Sequence, residues 1–305
     1  MMVARCAAIC AAFLLAACGA TPTGSGGGGL PAGAQVTVTE VAARGIRVPV
    51  TLVAPAAAAG ERVPLVLLVH GHGGTRDEAG AFVSVAAQLA AEGIASVRMD
   101  FAGCGDSNEP FSNNNLTTML ADIRAAEGYA LQTIAVDTER LALVGYSMGG
   151  RLAAMRTAQQ PVYKSMVVWA GSLSNGAERL QSIFGGAERF EQQKTKAQTV
   201  GVVDYTTPWG QQQQLGQQWF TDLESSRPLD AIAQYTGALL LIHGSEDDVV
   251  LPAVSTLALN AATRAEISEV AMIDGADHGF GLYSDEPELT RQLIDQTVSF
   301  LVSTL

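Results

Sequence analysis

Gly145-Tyr146-Ser147-Met148-Gly149-Gly150 is the stretch that decides how this chain is read. It has the form G-x-S-x-G. An apolar run, Leu141–Val144, ends directly before it, and Met148–Gln159, where apolar residues recur at three- and four-residue spacing, begins inside it. The hydrophobic period therefore changes from that of a strand to that of a helix at the serine. So sharp a strand-to-helix turn forces the serine into a strained backbone conformation, and the flanking glycines allow the close approach it requires. Ser147 is expected to project above a sheet at the N-terminus of a helix, whose dipole favours developing negative charge.

Outward from this turn, apolar runs alternate with helix-length segments, the pattern of a mostly parallel sheet covered on both faces. Strands are predicted at Leu65–Val69, Ala95–Met99, Leu141–Val144, Ser165–Trp169, Leu239–Ile242 and Ile267–Ile273. Val36–Val41 and Ile46–Val53 are expected to form an antiparallel hairpin at the sheet edge. Helices are predicted at Glu78–Glu92, Thr117–Thr133, Met148–Gln159, Ala253–Ala262 and Glu286–Leu301. Between Gly171 and Arg227 no strand is evident, and Gln, Gly and Ser are interspersed with Phe184, Phe190, Trp209, Trp219 and Phe220. That concentration of aromatics favours a small helical insertion over a disordered loop. The Gln211–Gln214 tract is too short to carry a functional argument, and no internal repeat is visible.

A serine hydroxyl needs a base within hydrogen-bond reach and an acid to orient that base. The chain has 4 histidines. His70, His72 and His243 lie at or just beyond strand ends beside glycines and read as structural. His278, in Gly275-Ala276-Asp277-His278-Gly279-Phe280 after the last strand, suits a loop that brings an imidazole back over the sheet. For the acid, the candidate segment is His243-Gly244-Ser245-Glu246-Asp247-Asp248-Val249-Val250 after the strand Leu239–Ile242, which offers Glu246, Asp247 and Asp248. The order is then serine, acid, histidine.

That order, with these motifs, resembles the α/β-hydrolase superfamily. The family's G-x-x-D-x-x-V pattern maps onto Gly244, Asp247 and Val250, and its HG-containing oxyanion loop is similar to His70-Gly71-His72-Gly73-Gly74. The resemblance covers about Ile46 to Leu305. It implies an α/β-hydrolase fold with a lid inserted at about 171–228, and an oxyanion hole formed by the backbone N–H groups of His72 and Met148. Asp100-Phe101-Ala102-Gly103-Cys104-Gly105-Asp106-Ser107 resembles the D-x-x-G-x-G-x-S segment of bacterial esterases and serine aminopeptidase-like hydrolases, with Cys104 where a polar residue is usual. It is read as a loop bracing the floor of the site.

The activity implied is cleavage of a small-molecule acyl ester through an acyl-enzyme, with feruloyl or cinnamoyl esterase-like and short-chain acyl esterase-like enzymes as the most similar subgroups. A serine aminopeptidase-like peptidase has the same triad, and Glu178, Glu188 and Glu191 are candidates to hold its free amine. From another class, a catalytically silent surface-binding lipoprotein on this scaffold stands as the rival. No cofactor is implied. No metal site is expected either, since neither an H-x-x-x-H pattern nor clustered cysteines are present.

Composition narrows the partners. The chain has 305 residues, 48% of them apolar and 16% charged, enough for a substantial core. With 18 basic against 30 acidic residues the net charge is −12, which opposes the Lys- and Arg-driven counterion release that binds nucleic acid.

The N-terminus carries an address. Arg5 precedes an apolar run from Cys6 to Ala17, shorter than the roughly 20 residues that cross a bilayer. Leu15-Ala16-Ala17-Cys18 resembles a bacterial lipobox, which implies cleavage after residue 17 and lipidation of Cys18. Residues 1–17 are thus expected to be a signal peptide, 18–35 a Gly-rich flexible tether, and 36–305 the hydrolase domain. The expected location is the bacterial cell envelope, reached by export and held by the lipid anchor, at the outer membrane in a Gram-negative source. Of the 4 cysteines, only Cys104 then remains unmodified in the folded part.

Overall fold

A computed structural model describes residues 29–58 and 60–305. The signal segment 1–17, Cys18 and most of the tether lie outside the described residues.

The sheet is assembled from β1 (Gln35–Ala43), β2 (Ile46–Ala54), β3 (Val63–Val69), β4 (Ala95–Met99), β5 (Val136–Tyr146), β6 (Tyr163–Trp169), β9 (Ala238–Gly244) and β10 (Ile267–Ile273), in the spatial order β1-β2-β4-β3-β5-β6-β9-β10. β2 runs antiparallel to both β1 and β4, and every other ladder is parallel. The helices are α1 (Ala81–Ala91), α2 (Leu116–Thr133), α3 (Met148–Gln159), α4 (Ala187–Val200), α5 (Gln217–Ser225), α6 (Pro228–Gln234), α7 (Ala253–Ala261) and α8 (Pro287–Thr304). The remaining strands, β7 (Val202–Thr206) and β8 (Gln212–Gly216), form a separate antiparallel pair.

The alternation of side chains along a strand explains the layering. In β3, Leu65, Leu67 and Val69 enter a core shared with Met119 and Ile123 of α2, Leu152 of α3 and Val254 of α7, while Val66 and Leu68 enter one shared with Phe82 and Leu89 of α1 and Leu293 of α8. β3 is apolar throughout because both of its faces are covered. Full burial of each such side chain stabilises the fold by about 1.5–3 kcal/mol before conformational entropy is counted. α2 starts where Asn115 caps it: the Thr118 N–H donates to Asn115 Oδ1 at 3.0 Å, and the Asn115 N–H donates to Thr118 Oγ1 at 3.3 Å.

Two expectations need correction. The insertion expected to be helical at about 171–228 carries α4 and α5 but also the β7–β8 hairpin, paired from Val202 with Gly216 to Thr206 with Gln212. β8 reads Gln-Gln-Gln-Leu-Gly, so its strand character comes from pairing and not from propensity; only Val203, Tyr205, Gln213 and Leu215 point inward. The helix expected at Glu78–Glu92 begins regularly only at Ala81, because Glu78 and Ala79 have φ of +41° and +51° and form a tight turn. Within the cap, Phe184 stacks on Tyr205 at 4.5 Å and packs edge-on to Phe190 at 5.3 Å, with Trp219 and Phe220 beside them. This aromatic cluster is continuous with the core on the α2 and α3 side of the sheet.

Candidate active site

β3 and β5 are neighbours, with Val69 opposite Gly145, so the loops leaving their carboxyl ends lie side by side. Ser147 occupies the turn from β5 into α3 with φ +52° and ψ −111°, a combination that β-carbon sterics disfavour. The turn is held by its own backbone: the Ser147 N–H donates to Trp169 O at 2.8 Å, and Ser147 O accepts from the Ser172 N–H at 3.1 Å. Gly149 is required here, since a Cβ at that position would run into the carbonyls of Val69 and His70.

Asp247 leaves β9 and His278 leaves β10, two adjacent parallel strands. The His278 Nδ1–H donates to Asp247 Oδ2 at 2.8 Å, which leaves Nε2 as the acceptor facing Ser147 Oγ at 3.0 Å. Asp247 Oδ1 accepts from the Val249 and Val250 amides at 2.9 and 2.8 Å. His243 Nε2 lies 3.0 Å from Asp247 Oδ2. Burial by itself would raise the Asp247 carboxyl, but hydrogen bonds from His243 and His278 and from the Val250 amide outweigh it and hold the group well below the usual carboxylate range. Asp248 and Glu246 are exposed. The structure thus brings Ser147, His278 and Asp247 into one hydrogen-bonded series.

The loop after β3, expected to form the oxyanion hole, is held from several sides. The Met148 and His72 N–H groups have no acceptor among the described residues. The His70 Nδ1–H donates to Gly71 O at 2.8 Å and its Nε2 accepts from the Phe101 N–H at 3.2 Å. The cap reaches the same loop: Gln211 Nε2 donates to Gly73 O at 3.2 Å, and the Trp209 Nε1–H donates to Gln211 Oε1 at 3.1 Å. Those two contacts fix the orientation of the Gln211 amide, because an indole only donates and a carbonyl only accepts. Gln213 Nε2 then donates to Gln211 Oε1 at 3.1 Å, so Gln213 Oε1 accepts from the His72 Nε2–H at 2.7 Å. Burial lowers the His72 imidazole to about 4, which keeps it neutral in this network.

The segment Asp100–Ser107 lies beneath this loop. Asp100 accepts from the Arg76 N–H at 2.7 Å and the Asp106 N–H at 3.0 Å, and pairs with the Arg76 guanidinium. Burial first, and then the Asp100 and Glu78 charges, push the Cys104 thiol up to about 12, so it stays protonated. Among the described residues no group of three or more His, Cys, Asp or Glu could hold a metal ion. Glu178, Glu188 and Glu191 are exposed on the cap, and Glu191 is paired with Lys194 at 2.7 Å.

Several residues at the site carried no signal in the sequence. Gln211 and Gln213 sit in a tract that looked featureless. Arg151 is fully buried in α3, its pKa lowered to about 9 by burial. Among the described residues it has no carboxylate partner, and it binds Ser172 Oγ at 3.3 Å, Ser174 O at 2.8 Å and Gly176 O at 3.2 Å at the start of the cap, and Ser226 Oγ at its end. Glu78, Tyr146 and Tyr283 also border the site: Glu78 accepts from the Gly71 N–H, and the Tyr146–His278 and Tyr283–Glu78 hydrogen bonds join segments distant in sequence.

A mostly parallel sheet covered on both faces, with a strained serine after its central strand and an insertion above, defines a protein of the α/β-hydrolase class. The chain matches the Alpha/beta hydrolase family over residues 66–293 and belongs to it. A search of curated proteins found no match. Among solved structures, it is similar to Est1E of Butyrivibrio proteoclasticus with ferulic acid bound, at 20% identity over 87% of this chain and 98% of that one, with a TM-score of 0.67. The esterase domain of a Rhodothermus marinus protein is 18% identical over 88% and 98% of the two chains, with a TM-score of 0.63. An esterase of Pyrococcus furiosus is 14% identical over 88% and 90%, with a TM-score of 0.62. At these identities the likeness is one of fold.

Proposed function

We propose that the protein is a carboxylic ester hydrolase that works through an acyl-enzyme on Ser147. The observation that carries this reading is the series Ser147 Oγ, His278 Nε2, His278 Nδ1, Asp247 Oδ2, with contacts of 3.0 and 2.8 Å, beside two backbone N–H groups without acceptors. Ser147 Oγ attacks the ester carbonyl as its proton passes to His278 Nε2, and the Met148 and His72 N–H groups hold the oxyanion. Collapse of the tetrahedral intermediate expels the alcohol, which takes the proton from His278. Water then repeats the sequence on the acyl-enzyme and releases the acid. Asp247 keeps the imidazole in the tautomer that can accept from serine.

The rings of Phe111 and Trp219, 5.3 and 5.9 Å from that of His72, give the surroundings of the site an aromatic character that supports aryl or short acyl groups as substrates, and ferulic acid bound to Est1E, a protein of the same fold, makes hydroxycinnamoyl esters a rational member of the panel. The peptidase reading is not favoured: the carboxylates proposed to hold a free amine are exposed on the outside of the cap, one of them already paired. Side-by-side assay of p-nitrophenyl acyl esters, methyl ferulate and aminoacyl anilides distinguishes the two. Ser147→Ala is expected to lower ester turnover by several orders of magnitude without changing the melting temperature, because the members of such a site act as a unit. Wild-type turnover in that variant would remove Ser147 as the nucleophile, whereas absence of turnover and of fluorophosphonate labelling in the wild type would favour the silent scaffold.

We further propose that the chain is exported and lipid-anchored at Cys18 to the bacterial cell envelope. The lipobox-like Leu15-Ala16-Ala17-Cys18 supports this, and no helix among the described residues is long and apolar enough to cross a membrane. Cys18→Ser is expected to move the protein from the membrane to the soluble fraction with its specific activity intact; continued membrane partitioning would point to another anchor.

A further inference from the structure

Glu78 is a buried carboxyl group that the proposed reaction does not use. It is 1% exposed and lies in a run of left-handed backbone, with φ of +41° at Glu78, +51° at Ala79 and +91° at Gly80. Two consecutive non-glycine residues in that region cost of order 1–3 kcal/mol each, so the surrounding contacts must hold them there. The strain directs the carboxyl inward, where both oxygens are engaged. Oε2 accepts from the Gly71 N–H at 2.8 Å, and Oε1 accepts from the Tyr283 hydroxyl at 2.7 Å. The carboxyl also fills the space where a side chain at Gly74 would stand.

These two donors belong to the two loops that must be in register for ester cleavage. Gly71 precedes His72, whose N–H is the proposed oxyanion donor. The peptide that joins them has its carbonyl bound by the His70 ring at 2.8 Å, and because a trans peptide is planar its N–H points the opposite way. With the Gly71 N–H held by Glu78 and the Gly71 carbonyl held by His70, both backbone torsions of Gly71 are fixed, and so is the aim of the His72 N–H. On the other side, Tyr283 lies in the turn that follows His278. Tyr146, next to the serine, closes the arrangement: its hydroxyl donates to His278 O at 3.1 Å, and its ring lies 5.3 Å from the imidazole.

Resting on the reading of Ser147 given above, we propose that Glu78 is a positioning residue. Its buried carboxyl clasps the oxyanion loop at Gly71 to the histidine loop at Tyr283, so that the His72 N–H and the His278 imidazole keep one fixed relation. Burial pushes this carboxyl up to about 7, against the lowering effect of its two hydrogen bonds. The clasp survives either protonation state. Ionised, the group accepts from both donors; protonated, one oxygen still accepts from Gly71 while the other donates to the tyrosine oxygen. A glutamine side chain reproduces that second arrangement, and an alanine reproduces neither.

The experiment compares Glu78→Ala, Glu78→Gln, Tyr283→Phe and the double variant Glu78→Ala/Tyr283→Phe, with Ser147→Ala as control. It uses p-nitrophenyl butyrate and counts competent sites by fluorophosphonate titration. Removing one oxyanion donor outright costs about 10²–10³-fold in turnover, so loosening its support is expected to lower kcat per titrated site about tenfold, with KM changed less than about threefold. Glu78→Gln is expected to recover at least about half of wild-type kcat, and the double variant to be no worse than Glu78→Ala alone, since both changes open the same clasp. Wild-type kcat in titrated Glu78→Ala, impairment of Glu78→Gln equal to that of Glu78→Ala, or additive effects in the double variant would each overturn the proposal. If Glu78→Ala does not fold, Tyr283→Phe carries the test: a severalfold loss of kcat at unchanged melting temperature supports the clasp, and no loss overturns it. An inert Ser147→Ala beside a fully active Glu78→Ala defeats the clasp alone, whereas an active Ser147→Ala defeats the reading beneath it.

Discussion

The sheet and the cap solve the problem of burial differently. The sheet's interior is aliphatic, built from rows such as Leu65, Leu67 and Val69, whose positions follow from a period of two and from helices on both faces. The cap's interior is aromatic, centred on Phe184, Phe190, Tyr205, Trp219 and Phe220, and its one pair of strands is mostly glutamine on one side. Rings fill volume with few residues, so a short insertion closes a core without a long hydrophobic pattern. The consequence is a division of labour. The body carries Ser147, Asp247 and His278 at the carboxyl ends of β5, β9 and β10, while the cap reaches the site through the Ser172 N–H on Ser147 O, the hydrogen bonds of Arg151 at its root, the glutamines of its hairpin and the edge-on ring of Trp219 against His72.

If the body holds the chemistry, the largest loss belongs to a body residue. Asp247→Asn is expected to lower kcat/KM at least about a hundredfold, because a misplaced imidazole tautomer costs about 10⁴-fold in a related triad. Asp248→Asn, on an exposed neighbour, is expected to cost less than about tenfold. Steady-state kinetics on one ester decides between them. Reversed effects would mean that the loop presents the other carboxylate in solution.

The joint between the two regions comes next. Arg151 is a buried cation that binds neutral groups at the first and last segments of the cap, so Arg151→Met leaves the Ser174 and Gly176 carbonyls and the Ser172 and Ser226 hydroxyls to find other partners. An unsatisfied buried acceptor costs about 1–3 kcal/mol, partly offset here by no longer burying a charge. A net loss near 2 kcal/mol corresponds to a fall in Tm of roughly 4–8 °C for a domain of this size. Limited proteolysis is expected to cut within 172–226 before it cuts the sheet. First cleavage inside the sheet would show that cap and body unfold as one unit.

The same contrast explains what could be read in advance. The strand order of a parallel sheet is not written in any one segment, but the runs that fill it are, because burial on both faces leaves uninterrupted apolar stretches such as Val63–Val69. Ser147, Asp247 and His278 could be nominated because each follows a strand in a short glycine-bearing motif, and they lie within hydrogen-bond distance of one another. β7 and β8 could not be foreseen. Gln212–Gly216 has a single large apolar residue, and it becomes a strand only because Leu215 and Gln213 find a buried face beneath them. Glu78 was hidden for the opposite reason: an acidic residue at the start of a helical period reads as an exposed first turn, and only the tertiary contacts with Gly71 and Tyr283 reverse it.

The smallest expected effect tests whether the cap shapes the chemistry at all. Gln213 is the last link of a chain in which every donor has one acceptor: Trp209 to Gln211, Gln211 to Gly73, Gln213 to Gln211, and His72 to Gln213. Gln213→Ala removes the acceptor for the His72 ring and leaves the Gln211 bridge to Gly73 in place, so the loop loses one of its two hydrogen bonds to the cap and keeps its ties to His70 and Glu78. One such hydrogen bond contributes about 0.5–1.5 kcal/mol, which in turnover is roughly a 2- to 12-fold loss if it is expressed wholly in the transition state. The loss is expected in kcat, since the His72 N–H is proposed to meet developing charge and not the ground-state ester. It is also expected to be constant above about pH 5, because an imidazole lowered to about 4 is neutral throughout that range in the wild type and gains no charge to lose. A Gln213→Ala enzyme with unchanged kcat would make the hairpin a passive wall, whereas a rise in KM at constant kcat would move its role from the oxyanion loop to substrate binding.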